Sequence, residues 1–110
     1  MGPSTRTIPE IGIDKLAELI GNDGASVIDV REDWEFRRGR VPGAIGIPLA
    51  KLPGRISGLP RDKRYAVICE HGNRSLAATE FLLKNGFESV ASVAGGTNAW
   101  AQSARPLERD

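Results

Sequence analysis

Short, predominantly apolar runs along the chain predict buried β-strands at three places. Ser26 to Val30, Tyr65 to Cys69 and Ser89 to Val93 are rich in β-branched or aromatic side chains and are bounded by turn residues. A shorter run, Ile45 to Ile47, lies between two prolines, which predicts a brief strand near the edge of a sheet. Runs without polar alternation suit strands that are buried on both faces, so the pattern favours a mainly parallel sheet.

Between these runs the apolar positions change to the spacing of helices. From Ile13 to Ile20 they recur three or four residues apart, and the segment stops at a glycine-bounded turn. Trp34 and Phe36 are expected to anchor a second helix. The further predicted helices are Glu32 to Arg38, a distorted one within Leu49 to Leu59, Ser75 to Asn85, and a short one around Asn98 to Ala101. Strands that alternate with helices predict an α/β fold with a sheet covered on both faces.

Length, composition and charge restrict the domain organisation and the class of partner. The chain has 110 residues, of which 40% are hydrophobic, 26% charged and 5% aromatic, with 15 basic residues against 14 acidic ones. We expect one domain over residues 1–110, structured from about 7 to 106, with polar tails outside that range. The near-neutral charge and the scarcity of aromatic residues argue against nucleic acid or an anionic membrane as partner. A small molecule is the expected partner.

Cysteine usage and the N-terminal residues predict the cellular setting. The single cysteine and single histidine exclude an internal disulfide and a zinc site built from these residue types. The first six residues lack the apolar core of a signal peptide, and no apolar run reaches the length that spans a membrane. These features predict a reducing, cytoplasmic location and no bound metal.

The junction between the strand that ends at Cys69 and the helix that begins at Ser75 concentrates reactive residue types. Open α/β sheets bind ligands at such strand ends. A loop curled around the sulfur would direct backbone N–H groups and the positive end of the helix at it, which favours the thiolate. A buried, inert cysteine is the alternative, but residues 72–75 are turn and capping residues with a fixed charge, which favours a reactive thiol.

Four segments, in order along the chain, resemble the signatures of single-domain rhodanese-like proteins. They are Asp29-Val30-Arg31 with Glu35, Gly39 to Pro48, Cys69-x-x-Gly72-x-Arg74-Ser75, and Val93 to Trp100. The resemblance covers about Thr7 to Pro106 and implies the rhodanese-like fold, a mainly parallel sheet of about five strands flanked by helices on both faces. It also implies a sulfurtransferase without a cofactor. Sulfane sulfur would pass from thiosulfate or a related persulfide donor to cyanide or a thiol acceptor, through a persulfide on Cys69.

The resemblance gives each loop residue an expected role. Cys69 is the nucleophile, and Arg74 either binds the anionic donor or braces the loop by pairing with a carboxylate. The backbone amides of residues 70–74 are expected to hold the persulfide or an incoming anion. The expected substrate-binding residues are therefore Glu70, His71, Gly72, Asn73 and Ser75.

Residues outside the loop are expected to support it. Asp29 and Arg31 follow a neighbouring strand and should hold the loop, with Glu35 as a salt-bridge partner.

Ser75 is expected to cap the helix, with a hydrogen bond toward the sulfur as the alternative. His71 is not expected to act as a general base, because transfer to an existing thiolate needs no proton abstraction; a tuning or steering role, or none, is expected.

Three positions depart from the family pattern. Arg40 stands where the family often has histidine, and Thr97 where a bulky residue commonly follows the two glycines. Glu70 matters more, since an acid directly after the nucleophile weakens the positive field that thiosulfate would seek. A protein persulfide or an uncharged polysulfide is therefore an alternative donor.

Two other functions compete with sulfur transfer. A phosphatase relative of this fold has five residues between cysteine and arginine, whereas four intervene here, Glu70 to Asn73. The smaller ring favours a sulfur atom over a tetrahedral phosphate. A non-catalytic interaction or regulatory module could keep the fold without using the thiol, although the intact Cys69 and Arg74 argue against it.

Overall fold

The computed structural model describes residues 7–110 and folds them into five strands and five α-helices. The strands are β1 (Glu10–Ile11), β2 (Ser26–Asp29), β3 (Ile45–Gly46), β4 (Arg64–Ile68) and β5 (Ser89–Val93). The helices are α1 (Ile13–Gly21), α2 (Asp33–Arg38), α3 (Leu52–Arg55), α4 (Asn73–Lys84) and α5 (Gly96–Gln102). Short 3-10 turns at Leu49–Lys51 and Ile56–Gly58 flank α3, so the predicted distorted helix is divided into three pieces. Within this part of the chain, none of the helices has the length and apolar character needed to cross a membrane.

The five strands form one parallel sheet in the spatial order β1-β5-β4-β2-β3. This confirms the predicted α/β fold and the position of β3 at an edge. The opposite edge strand, β1, was not predicted, because two residues are too few to carry a periodic pattern. Backbone pairing with β5 creates it: Ser92 N donates to Pro9 O (2.9 Å) and Ala94 N donates to Ile11 O (2.8 Å).

Helices cover both faces of the sheet, and each face has its own apolar cluster. α3 and α4 contribute Leu52 and Leu82 to one cluster, while α1 and α5 contribute Leu16 and Trp100 to the other. Alternate residues of β4 enter the two clusters, as expected for a strand buried on both faces. Cys69 belongs to the cluster on the α4 side.

α2 lies at the surface and contains no fully buried side chain. Trp34, which was expected to anchor this helix, is 61% exposed, so that prediction is wrong. A capping box begins the helix: the Glu32 carboxylate accepts the Glu35 N–H, and the Glu35 carboxylate accepts the Glu32 N–H. Phe36 is partly buried, with its ring over Gly46.

The sheet order places the carboxyl ends of the neighbouring strands β2, β4 and β5 side by side. Neighbouring β2 and β4 are in register at Asp29 and Ile68, and Val30 N donates to Ile68 O at 2.9 Å. Both chains therefore leave the sheet at the same level, and β5, on the other side of β4, leads there into α5. The loop that begins at Cys69 lies at the carboxyl ends of these strands, where parallel sheets bind ligands.

The C-terminal segment after Arg105, which the sequence predicted as a polar tail, packs against the loop that follows α2. Arg40 N donates to Glu108 O at 2.9 Å, and Glu108 N donates to Arg40 O at 2.8 Å. The Arg40 guanidinium also pairs with Asp110 at 2.8 Å. The predicted N-terminal tail, residues 1–6, lies outside the described residues.

Candidate active site

The loop after β4 curls around the Cys69 sulfur. Gly72 N donates to Sγ at 3.1 Å and Ser75 N donates to it at 3.3 Å. Gly72 has φ +105°, in the left-handed region, and a Cβ there would approach Gly95 N at 3.3 Å, so this tight turn requires glycine. Only 1% of Cys69 is exposed. A reactant can therefore reach the sulfur only with a small group at its end.

Ser75 contacts the sulfur with its hydroxyl as well as its N–H. Its Oγ lies 3.4 Å from Cys69 Sγ and 2.7 Å from Ser92 Oγ, and both serines are completely buried. The expectation that Ser75 caps α4 is wrong, because Gly72 is the N-cap residue and no side chain caps this helix. The alternative, a hydrogen bond toward the sulfur, describes its position.

Ser92 is a site residue that sequence reasoning missed. It lies within β5 and makes its hydrogen bond to Ser75, 17 residues away. A signal for it was present, because a serine inside a buried apolar strand needs a hydrogen-bond partner. The sequence did not indicate which partner that would be.

Two opposing effects act on the pKa of Cys69. Burial alone raises the pKa of the thiol, because it disfavours the charged thiolate. Hydrogen bonds from the Ser75 hydroxyl and from the backbone N–H groups of Ser75, Gly72 and His71 lower it, and together they outweigh burial. The pKa of Cys69 is therefore below its ordinary value. His71 acts on this pKa through its backbone N–H, and the residue is exposed at the surface.

Arg74 joins α4 to α2 through a two-pronged ion pair with Glu35. Its Nη1 lies 2.8 Å from Glu35 Oε1 and its Nη2 lies 2.9 Å from Oε2. This hydrogen bonding is the main reason that the pKa of Glu35 falls to about 2 and that the pKa of Arg74 rises. Of the two roles expected for Arg74, the structure contains the bracing one, although 38% of its side chain stays exposed.

A buried ion pair supports the loop from β2. Arg31 Nε and Nη2 donate to the Asp29 carboxylate at 2.8 to 3.1 Å, and Nη2 also donates to Gly39 O at 2.8 Å. Only 3% of the Arg31 side chain and none of the Asp29 side chain is exposed. Burial lowers the pKa of Arg31. The hydrogen bond and charge of Asp29, together with the carboxylate of Glu70, raise this pKa by more than burial lowers it, so the guanidinium stays charged.

The same arginine reaches the loop itself. Arg31 Nη1 donates to Glu70 Oε1 at 3.2 Å, and 34% of the Glu70 side chain is exposed. The acid next to the nucleophile is thus paired with a cation, which reduces the negative field that Glu70 was expected to impose on an anionic donor.

The first turn of α5 packs against the start of the loop. Thr97 N donates to Cys69 O at 2.8 Å and Asn98 N donates to Glu70 O at 3.0 Å. A Cβ at Gly96 would overlap the carbonyl oxygens of Cys69 and Glu70, and its φ of +60° also favours glycine. The second glycine of the C-terminal signature is therefore required by close packing on the loop.

A cavity of about 420 Å³ opens beside the loop. Its lining includes Arg31, Trp34, Glu35, Glu70, Thr97 and Asn98. Within residues 7–110, Thr97 Oγ1 is the buried side-chain oxygen or nitrogen that has no hydrogen-bond partner. The exposed Trp34 gives this cavity an apolar side, and Glu70, the residue directly after Cys69, also lines it.

The structure brings most of the expected site residues together. Gly72 and Ser75 contact the Cys69 sulfur. Glu70 pairs with Arg31, and Arg74 pairs with Glu35. Asp29 holds Arg31 in turn. His71 and Asn73 are exposed, whereas Glu70 and Arg74 are partly buried. Substrate binding through the backbone of His71 and Asn73 stays a prediction.

Known proteins match this chain over nearly its whole length. A family model described as Rhodanese-like domain matches residues 13–103. The protein YtwF of Bacillus subtilis is 37% identical over 100 residues, which cover 90% of this chain and 96% of that protein. A sulfurtransferase of Allochromatium vinosum is 30% identical over 101 residues, covering 91% and 94%. The crystal structure of a rhodanese-related protein from Thermoplasma volcanium has a TM-score of 0.86 and 39% identity, covering 93% and 99%.

Proposed function

We propose, given that this chain belongs to the rhodanese-like domain family and is a sulfurtransferase of that kind, that Cys69 carries the transferred sulfur as a persulfide. The proposed donor is thiosulfate or a related persulfide, and the proposed acceptor is cyanide or a thiol. The observation that carries the proposal is that Gly72 N and Ser75 N donate hydrogen bonds to Cys69 Sγ, with the Ser75 Oγ 3.4 Å from it. Such donors favour the thiolate, which is the nucleophilic form of cysteine.

The proposed reaction has two balanced steps. In the first, the Cys69 thiolate attacks the outer sulfur of thiosulfate, the sulfur–sulfur bond of the donor breaks, and sulfite leaves with the electron pair. In the second, cyanide attacks the outer sulfur of the Cys69 persulfide, thiocyanate forms, and the thiolate is regenerated. Neither step moves a proton, so no general base is required and ping-pong kinetics are expected.

The charges around the loop support an anionic donor without requiring one. Glu70 is paired with Arg31, and 38% of the Arg74 side chain remains exposed beyond its pair with Glu35. The cavity beside the loop, with Trp34 on one side, is the proposed position for the acceptor. A thiol acceptor with an apolar body would bury that body there.

Mass spectrometry of the intact protein tests the proposed function directly. After incubation with thiosulfate, the mass should increase by one sulfur atom, and cyanide should remove the increase. Because the chain has one cysteine, the added sulfur is assigned to Cys69 without further mapping. A gain with polysulfide but not with thiosulfate would indicate a polysulfide or persulfide donor in place of thiosulfate. No gain with either donor would contradict the proposal and favour a non-catalytic module.

Substitutions of the Arg74–Glu35 pair separate bracing from donor binding. If Arg74 braces the loop, Arg74→Lys and Glu35→Gln should both reduce kcat/KM for thiosulfate, by about tenfold, since lysine keeps the charge but loses the two-pronged geometry. We expect each to lower the free energy of unfolding by about 1 kcal/mol, because Arg74 is partly exposed. Steady-state kinetics and urea unfolding measure both effects.

The exposed Lys15–Glu18 pair of α1 provides the control. Its atoms are 3.3 Å apart and it lies away from the loop, so Glu18→Gln should change neither quantity. Full activity in Glu35→Gln together with a large loss in Arg74→Ala would contradict bracing and indicate that Arg74 acts on the donor.

A further inference from the structure

Ser92 is a buried hydroxyl placed behind the sulfur site. It is the fourth of the five residues of β5, none of its surface is exposed, and its Oγ lies 2.7 Å from Ser75 Oγ. Within residues 7–110, Ser75 Oγ is the hydrogen-bond partner of this hydroxyl. Ser75 Oγ in turn lies 3.4 Å from Cys69 Sγ. The three side chains therefore form a chain of hydrogen bonds that ends at the sulfur.

The number of hydrogens in this chain depends on whether Cys69 is charged. With a Cys69 thiolate there are two hydrogens and two acceptors in line: the Ser92 hydroxyl donates to Ser75 Oγ, and the Ser75 hydroxyl donates to Sγ. With a neutral thiol there is a third hydrogen, and one of the three has no acceptor in the chain. Leaving a buried donor without an acceptor is costly, so the arrangement favours the thiolate.

We infer that Ser92 is a positioning residue for sulfur transfer, whose hydroxyl donates to Ser75 and thereby directs the Ser75 O–H at Cys69 Sγ. A serine hydroxyl has one hydrogen and cannot donate to Ser92 and to the sulfur together. When Ser92 is the donor, the Ser75 hydrogen is left for the sulfur. This inference rests on the proposed role of Cys69 as the sulfur-carrying thiolate.

The lowered pKa of Cys69 agrees with this arrangement, since the Ser75 hydroxyl is the first of the hydrogen bonds that lower it. Charged and titratable groups on the surrounding elements are retained in every variant proposed below. They are Asp29 and Arg31 after β2, Glu35 in α2, Glu70 and His71 in the loop, and Arg74 in α4. Differences between variants at Ser92 thus report on the hydroxyl and not on these charges.

A matched pair of substitutions tests the inference. Ser92→Thr keeps the hydroxyl, whereas Ser92→Val has nearly the same size and shape as threonine without it. Thiolate absorbance against pH gives the titration midpoint of the single cysteine, with Cys69→Ser as the blank. The one tyrosine, Tyr65, does not interfere, because burial raises its pKa above the ordinary value.

The expected shifts have a definite sign. In the unmodified protein the midpoint should lie below the ordinary value of a cysteine thiol. Loss of the Ser92 hydroxyl makes the thiolate less favourable, so Ser92→Val should raise the midpoint by roughly one pH unit, which lowers the thiolate fraction about tenfold below both midpoints. The transfer rate from thiosulfate in that pH range should fall in parallel. Ser92→Thr should stay close to the unmodified protein in both measurements.

Thr79→Val is the control for the loss of a buried hydroxyl. Thr79 is fully buried in α4 and donates to Ser75 O at 2.7 Å, not to the Ser75 hydroxyl, so its replacement should leave the midpoint unchanged. Equal midpoint shifts in Ser92→Thr and Ser92→Val would overturn the inference, because they would reflect packing. Ser92→Ala removes the hydroxyl without added bulk, and an unshifted midpoint in that variant would overturn it too.

The titration also separates this inference from the proposed function. The midpoint does not depend on any sulfur donor, so a shift in Ser92→Val stands even if thiosulfate leaves no persulfide. Conversely, persulfide formation together with an unchanged midpoint in Ser92→Ala supports the proposed function and rejects the role of Ser92.

Discussion

Replacing Cys69 with serine is expected to abolish sulfur transfer, lowering the thiosulfate-to-cyanide rate by at least about a thousandfold. A serine hydroxyl remains protonated at neutral pH, and its oxygen cannot form a persulfide, so both proposed steps lose their reacting atom. The fold should survive, because a hydroxyl can accept the hydrogen bonds that Gly72 N and Ser75 N now donate to the sulfur. We expect a change of about 1 kcal/mol in the free energy of unfolding.

Thiocyanate production, intact mass after thiosulfate treatment and thermal unfolding together check this expectation. Ser57→Ala, an exposed change in a 3-10 turn remote from the loop, serves as the control and should behave as the unmodified protein. A Cys69→Ser protein that still produces thiocyanate at a substantial fraction of the normal rate would show that sulfur is not carried on this residue.

Asp29→Ala is expected to produce the largest loss of stability, about 3–5 kcal/mol. The substitution leaves the Arg31 guanidinium buried without its main carboxylate, while Glu70 holds a single nitrogen of it at 3.2 Å. Small domains unfold with about 5–15 kcal/mol, so much of the total stability would be lost. Since Arg31 also binds Gly39 O and Glu70, the loop around Cys69 should become less ordered and the transfer rate should fall.

Glu70→Gln is the matched control, because it removes the other carboxylate of the same arginine. That carboxylate is 34% exposed, and an exposed ion pair contributes about 0–1 kcal/mol. Urea unfolding should therefore give a much lower midpoint for Asp29→Ala than for Glu70→Gln, with similar dependence on urea concentration. Equal losses in the two variants would contradict the assignment of Asp29 as the main partner of Arg31.

The pattern of apolar and polar residues along the chain was sufficient to predict the main strands of the fold. The apolar runs at Ser26 to Val30, Tyr65 to Cys69 and Ser89 to Val93 became β2, β4 and β5, with ends that differ by one residue at most. The predicted edge position of Ile45 to Ile47 was also correct. These successes have one cause: a strand buried on both faces needs a predominantly apolar run of side chains, which is a property of adjacent residues.

The sequence by itself thus determined the α/β class, the main strands and helices, the family resemblance and the loop that begins at Cys69. The resemblance also indicated that Asp29, Arg31 and Glu35 support the loop, but only the tertiary structure decided which groups pair. Arg74 pairs with Glu35 and Arg31 with Glu70, in each case 39 residues apart, and Ser92 meets Ser75 across the β5–α4 contact. Such pairs depend on which parallel strands are neighbours and on their register, and periodicity along the chain carries no information about either. For the same reason the short β1 and the exposure of Trp34 emerged only from the folded protein.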